Sequence, residues 1–163
     1  MKNIIKLLLP ILIFLLSCAG GDKNDDLKLR LKYVNTKYKF ALQFPEKWIS
    51  YMDFEKTEII DQDIHIPVIY FALPTRSREW QPLNLPAGYA ELFYVRIFSK
   101  ADWKLYEERY KGSDEFKLND KFPGEENDFV FMITYPNSLP VDLYIYMKES
   151  ASITDTFRII KKD

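Results

Sequence analysis

The run PVIYFAL, residues 67–73, is apolar or aromatic at every position. Successive side chains of a strand point to opposite faces, so this run presents apolar groups on both. A strand buried on both sides needs a covering layer on each side. LFYVRIF (92–98) is nearly as apolar, and FVFMITY (129–135) is similar. Three such runs predict a sheet with both faces packed. The covering layers must come from elsewhere in the chain.

Two segments can supply them. Ser99 is followed three positions later by Asp102, a capping-box variant with Asp in place of Glu. Trp103, Tyr106 and Tyr110 then recur at i, i+3 and i+7 on one helical face, while Lys104, Glu107, Arg109 and Lys111 occupy much of the rest. Glu107 and Lys111 form a favourable i,i+4 pair, and Gly112 stops the helix. The second segment spans 139–154 and carries Pro140, a residue suited to a first helical turn. On a helix, Leu143, Tyr146, Met147, Ser150 and Ile153 share a face. Val141, Leu143, Ile145 and Met147 also alternate, so periodicity supports helix and strand equally here.

Upstream, Leu27, Leu29, Leu31 and Tyr33 alternate with Lys28, Arg30 and Lys32, the pattern of a half-buried strand. A turn at Asn35, Thr36 and Lys37 leads to a second alternating run, Tyr38, Phe40, Leu42 and Phe44, making a hairpin. Pro45 ends that run. Trp48 follows it among apolar neighbours and reads as a core residue. Residues 49–54 lead into a polar connection reaching Asp63, and residues 156–160 form a short closing strand. The connection 74–88 contains Pro74, Pro82 and Pro86; loops of this length inside a compact domain are usually functional or disordered.

The chain opens with Lys2 and Lys6, an apolar run at 7–16, and then Ser17, Cys18, Ala19, Gly20 and Gly21. A basic head, a short hydrophobic stretch and a small-residue exit is the layout of a secretory signal peptide. Ten residues rise about 15 Å as a helix, half of a hydrocarbon core of roughly 30 Å, which argues against a membrane span. The junction Leu15-Leu16-Ser17-Cys18 resembles the lipobox of bacterial lipoproteins. That resemblance implies a diacylglycerol on the Cys18 thiol, cleavage in front of it and an acylated new amino terminus. The competing reading is an ordinary signal peptide that contains a cysteine. Two or more acyl chains anchor firmly where one does so only marginally. Ala19 takes the place of the aspartate that retains some lipoproteins at an inner membrane, which favours the outer one.

The expected organisation is therefore a lipoprotein signal peptide (1–17), a flexible acidic tether (18–27) and one globular domain (28–163). Residues 19–26 hold no apolar side chain larger than alanine and cannot offset their own ordering entropy. Cleavage leaves 146 of 163 residues, enough for one substantial core. Without Lys2 and Lys6, 21 basic side chains face 24 acidic ones, a slight formal charge of −3 that disfavours nucleic acid or anionic lipid as the main partner. With the single cysteine lipidated, no disulfide or cysteine-based zinc site is available. The 12 Phe, 11 Tyr and 3 Trp are the expected means of holding the domain together.

Three pieces of the domain share a family likeness. YKFALQFPEKW (38–48) resembles the opening signature of the PsbP/Mog1-like superfamily: an alternating strand, a proline, and a tryptophan three residues later. LPVDL (139–143) is similar to the start of the last helix in bacterial members, and ITDTFRI (153–159) to their closing segment. The resemblance implies an α+β fold, an antiparallel sheet flanked by helices on both faces, and assigns 139–154 to helix. Family members are mostly non-catalytic: photosystem assembly and extrinsic subunits, a small-GTPase-binding nuclear transport factor, and exported lipoproteins. The photosynthetic role does not carry over, since nothing here matches its functional positions, and a shared fold does not fix function.

His65, the only histidine, follows Asp61 and Asp63 at alternate positions, which a strand would point one way. Three ligands from one short run, without a second histidine or a thiolate, match a dedicated zinc site poorly. The chain has no G-x-S-x-G elbow and no phosphate-cradling glycine cluster, so no enzyme class, metal or cofactor is implied. Within the long loop, Arg76, Arg78 and Trp80 combine residue types enriched at interface hot spots; the competing reading is a solvated loop whose Trp80 folds back onto the domain. The expected function is that of a lipid-anchored, non-enzymatic binding or assembly module, held to a membrane by Cys18, with that loop facing a protein or envelope partner. A metal-dependent or hydrolytic enzyme around Asp61, Asp63 and His65, and a purely structural surface lipoprotein, are the alternatives. On the interface reading, replacing Arg76 and Trp80 leaves stability nearly unchanged.

Overall fold

The computed structural model describes residues 31–60, 63–110, 120–126 and 128–160. The leader, Cys18, the tether, the start of the first alternating run, Asp61, Lys111 and Gly112 lie outside the described residues. The fold is mixed α+β, with two antiparallel sheets and two α-helices among the described residues. The smaller sheet has the order β1-β2-β8, with β1 at Lys32–Asn35, β2 at Phe40–Gln43 and β8 at Arg158–Ile159. The larger has the order β3-β4-β5-β7-β6. Its strands are β3 Met52–Ile60, β4 Ile64–Pro74, β5 Tyr89–Ser99, β6 Asp120–Glu126 and β7 Phe129–Thr134.

The predicted hairpin forms, with Lys32 opposite Gln43 and Asn35 opposite Phe40. Its turn is longer than expected. Lys39 adopts a positive φ of 60°, so the second strand begins at Phe40 and not at Tyr38. Asn35 Oδ1 accepts a 2.8 Å bond from the Tyr38 N–H, which locks the start of the turn. A 3-10 helix at Glu46–Trp48 follows Pro45, and Trp48 is fully buried.

The three apolar runs are the three inner strands, β4, β5 and β7. Their two faces enter different clusters. Ile64, Ile66, Val68 and Tyr70 of β4 pack with Phe98, Val130 and Met132, and with Trp103, Tyr106 and Tyr110 of helix α1 (Lys100–Tyr110). Ile69, Phe71 and Leu73 pack instead with Phe40 and Leu42 of the small sheet, Trp48, Leu143 and Ile153. A bulge between Phe71 and Ala72 leaves Leu92 as the extra residue, since Phe71 faces Phe93 and Ala72 faces Glu91. Leu92 and Phe93 consequently both reach the second cluster. Its aromatic rings interlock: Phe71 stacks on Phe93 at 4.8 Å, Tyr33 meets Phe71 edge-on at 4.9 Å, and Phe40 stacks on Phe157 at 5.1 Å.

Ser99 caps α1 as read from sequence. Its Oγ accepts from the Asp102 N–H (3.1 Å) and donates to the Asp102 carboxylate (2.6 Å). The 139–154 segment is helical, in two parts: a 3-10 helix at Val141–Tyr146, then α2 at Met147–Asp155. The change of pitch corrects the expected face. In a 3-10 turn three residues make a full rotation, so Tyr146 eclipses Leu143 and packs on the core. Met147 is rotated away, and is 54 % exposed.

Two other expectations need correction. The polar connection proposed for 49–63 contains strand β3, in unbroken register with β4 from Met52 opposite Ala72 to Ile60 opposite Ile64. Strand β6 carried no legible signal either. Both are edge strands, where charged residues guard an unpaired backbone and dilute the apolar alternation. Among the described residues no helix is long and apolar enough to cross a membrane.

Candidate functional site

The long loop between β4 and β5 is tied down at its base. Thr75 N–H donates to the Gly88 carbonyl at 2.9 Å, with Gly88 at φ 86°, a left-handed backbone conformation that glycine adopts without strain. Asp142, at the start of the 3-10 helix, holds the same corner from outside. Its Oδ1 accepts from the Thr75 hydroxyl (2.9 Å) and its Oδ2 from the Arg76 N–H (2.7 Å). The Arg76 N–H, the Thr75 hydroxyl and the Arg76 charge together hold the Asp142 carboxyl below its usual range.

This clamp shapes an open recess of about 430 Å³, lined by Ser50, Thr75, Arg76, Asp142, Ile145 and Tyr146 among others. The lining joins the loop to the 3-10 helix. Arg76 is exposed beside the recess and Arg78 is exposed further along the loop. Trp80 behaves differently. It is half-buried and packs on the main core, with its Nε1 buried and without a hydrogen-bond partner. The structure therefore brings Arg76 together with Asp142 and Ile145, and turns Trp80 inward. Truncating Trp80 removes core contacts, so it cannot serve as a stability-neutral probe of the loop. A second recess of about 440 Å³ lies between Lys56 and Thr57 of β3 and loop residues 83–86.

Asp63 sits in the turn before β4, where Arg109 of α1 donates to both its oxygens, at 2.7 and 2.5 Å. That bidentate contact lowers the Asp63 carboxyl from its ordinary value. His65 is exposed on β4, opposite Ile59. Among the described residues no group of three His, Cys, Asp or Glu side chains is placed to hold a metal ion.

One polar constellation escaped the sequence reading. Arg96 of β5 donates from Nε and Nη2 to the two oxygens of Glu58 on β3 (2.7 and 2.8 Å), and from Nη1 to Thr134 of β7 (3.3 Å). Its guanidinium lies 5.1 Å from the Tyr94 ring centre, and Tyr94 is 5.1 Å from Tyr70. Burial opposes the Arg96 charge, yet the Glu58 carboxylate holds it protonated above its ordinary range. Burial also pushes the Tyr70 hydroxyl up to about 12. The available signal was the one charge inside the otherwise apolar run 92–98, which demands a partner.

The Asp142 clamp yields a pH prediction. A carboxyl held low in the native state stabilises the fold above the unfolded value, near 4 for aspartate, and loses that contribution as pH falls through the lowered native value. The group is largely exposed, so the effect is about 1 kcal/mol or less. Asp142→Asn is expected to melt below the parent at neutral pH, with the gap closing in acid. A gap constant from neutral pH to well below the aspartate range would disprove the clamp's contribution.

No family model, curated protein or solved structure matches this chain.

Proposed function

We propose that this protein is an exported bacterial lipoprotein moored through Cys18, probing its surroundings with a PsbP/Mog1-like domain that acts as a non-enzymatic binding module of the cell envelope. The lipobox-like junction after a complete export signal supports the mooring. The hairpin running into Pro45 and a core Trp48, and the two apolar clusters on the large sheet, support a sandwich with a helical layer on each face.

The observation that carries the binding role is the clamped recess between the 75–88 loop and the 3-10 helix. A loop held by Asp142 from 66 residues away is pre-organised, which lowers the ordering cost of engaging a partner. Arg76 beside the recess and Arg78 beyond it can each donate to carboxylates or phosphates. Crosslinking and pull-down of the lipidated protein tests this directly. The double variant Arg76→Ala/Arg78→Ala is expected to keep its melting temperature within about 2 °C, because both side chains are surface groups, and to lose the crosslinked partner. Capture unchanged in the double variant would sink the loop as the binding surface.

A further inference from the structure

The 3-10 helix beside the recess exposes Val141 (80 %), Ile145 (72 %) and Tyr144 (51 %), followed by Met147 at the start of α2. Four apolar or aromatic side chains within seven residues form a ridge that the fold leaves uncovered. The two carboxylates of the segment are already engaged. Asp142 holds Thr75 and Arg76, while Glu149 accepts from Trp48 Nε1 at 3.1 Å and pairs with Lys47. Lys148 on α2 and Arg76 across the recess are the flanking cations.

We infer that this ridge seats in the headgroup–acyl boundary of a lipid bilayer, an inference that rests on the lipid anchoring proposed above. Where the chain enters the fold argues for this occupant. Leu31, the first described residue, accepts from the Phe44 N–H at 2.7 Å. Phe44 lies 5.7 Å from Trp48, and Trp48 meets Tyr146 of the 3-10 helix edge-on at 5.8 Å. The entry point and the ridge thus belong to one end of the domain. Residues 19–30 separate Cys18 from Leu31, and twelve residues reach at most about 40 Å. Acyl chains on Cys18 hold Leu31 within that reach of the bilayer, which gives the domain, ridge included, a high effective concentration there. The composition suits the boundary: a tyrosine whose hydroxyl stays wet, aliphatic side chains that enter, and cations that reach phosphates.

The test uses the lipidated full-length protein carrying Ile145→Cys. The acylated Cys18 sulfur cannot react, so position 145 alone takes an environment-sensitive fluorophore. Glu108→Cys, exposed on α1, is the reference position. On reconstitution into phosphatidylethanolamine vesicles containing phosphatidylglycerol, emission at 145 is expected to rise several-fold and shift to the blue, with position 108 unchanged. Adding Val141→Asp and Tyr144→Asp should abolish that response while the protein still floats with the vesicles. A protein that floats with position 145 as wet as 108 overturns the docking and leaves the anchoring intact. If the protein made with its own leader and Cys18 carries no lipid there and does not float, both are overturned. The same rise in a Cys18→Ser protein without vesicles assigns the ridge to a second copy and also overturns bilayer docking.

Discussion

Alanine in place of Trp48 is expected to remove about 3–5 kcal/mol of stability, the range for deleting a large buried aromatic. Trp48 has no exposed surface and lies between Phe44 (5.7 Å), Phe93 (6.3 Å) and Tyr146 (5.8 Å). It joins the end of the hairpin to β5 and to the 3-10 helix, so truncation opens a cavity where three parts of the fold meet. Its Nε1 also loses Glu149, although Glu149 keeps its pairing with Lys47. Domains are stable by only about 5–15 kcal/mol, so the variant should sit close to unfolding. Urea titration measures the loss as a lowered midpoint at unchanged slope. Trp48→Phe keeps most of the volume and should lose about half as much. A cost below about 1 kcal/mol for Trp48→Ala would show that the site collapses freely, contrary to its packing.

The second large effect belongs to Glu58. Its partner Arg96 is 17 % exposed and Glu58 itself 27 %, so the pair is mostly withdrawn from water. Glu58→Ala leaves a guanidinium on the sheet with only Thr134 and the Tyr94 face, and is expected to cost about 2–3 kcal/mol. Removing both charges behaves differently, because the desolvation penalty disappears along with the attraction. Glu58→Leu with Arg96→Met should therefore recover most of the loss. A double-mutant cycle from chemical denaturation gives the coupling directly. Additive losses would mean that the two side chains are solvated independently, and would refute the pair's role.

These two predictions differ in how far they could be read before folding. Trp48 announces itself, because an alternating strand, a proline and a tryptophan among apolar neighbours leave that ring nowhere to go but inward. The Glu58–Arg96 contact spans 38 residues and begins on a strand disguised as a polar connection. The candidate site divides similarly. The 74–88 loop stood out by its length and prolines, but its recess exists only because Asp142 and Ile145 arrive from a distant helix. Trp80 could be read either as an interface residue or as folding back onto the domain, and it is half-buried on the core, since a large ring near a core is stabilised more by packing than by solvent. Asp63, a weak metal-ligand candidate in sequence, is held by Arg109, a residue 46 positions away.

From sequence alone followed the three inner strands, the hairpin, the Ser99 cap and the aromatic face of the first helix. Each is a local consequence of period, burial demand or capping chemistry, and needs no knowledge of the partner. The tertiary structure decided the edge strands, the bulge at Leu92, the phase of the 139–154 helix and every long-range polar contact. Those depend on which backbone lies alongside which, and edge strands carry the charges that hide them from pattern reading. The exposed ridge at Val141–Tyr146 is the clearest instance. Its sequence fits a strand or a helix equally, and only the 3-10 pitch, which keeps Leu143 and Tyr146 inward, rotates Met147 out beside Val141, Tyr144 and Ile145.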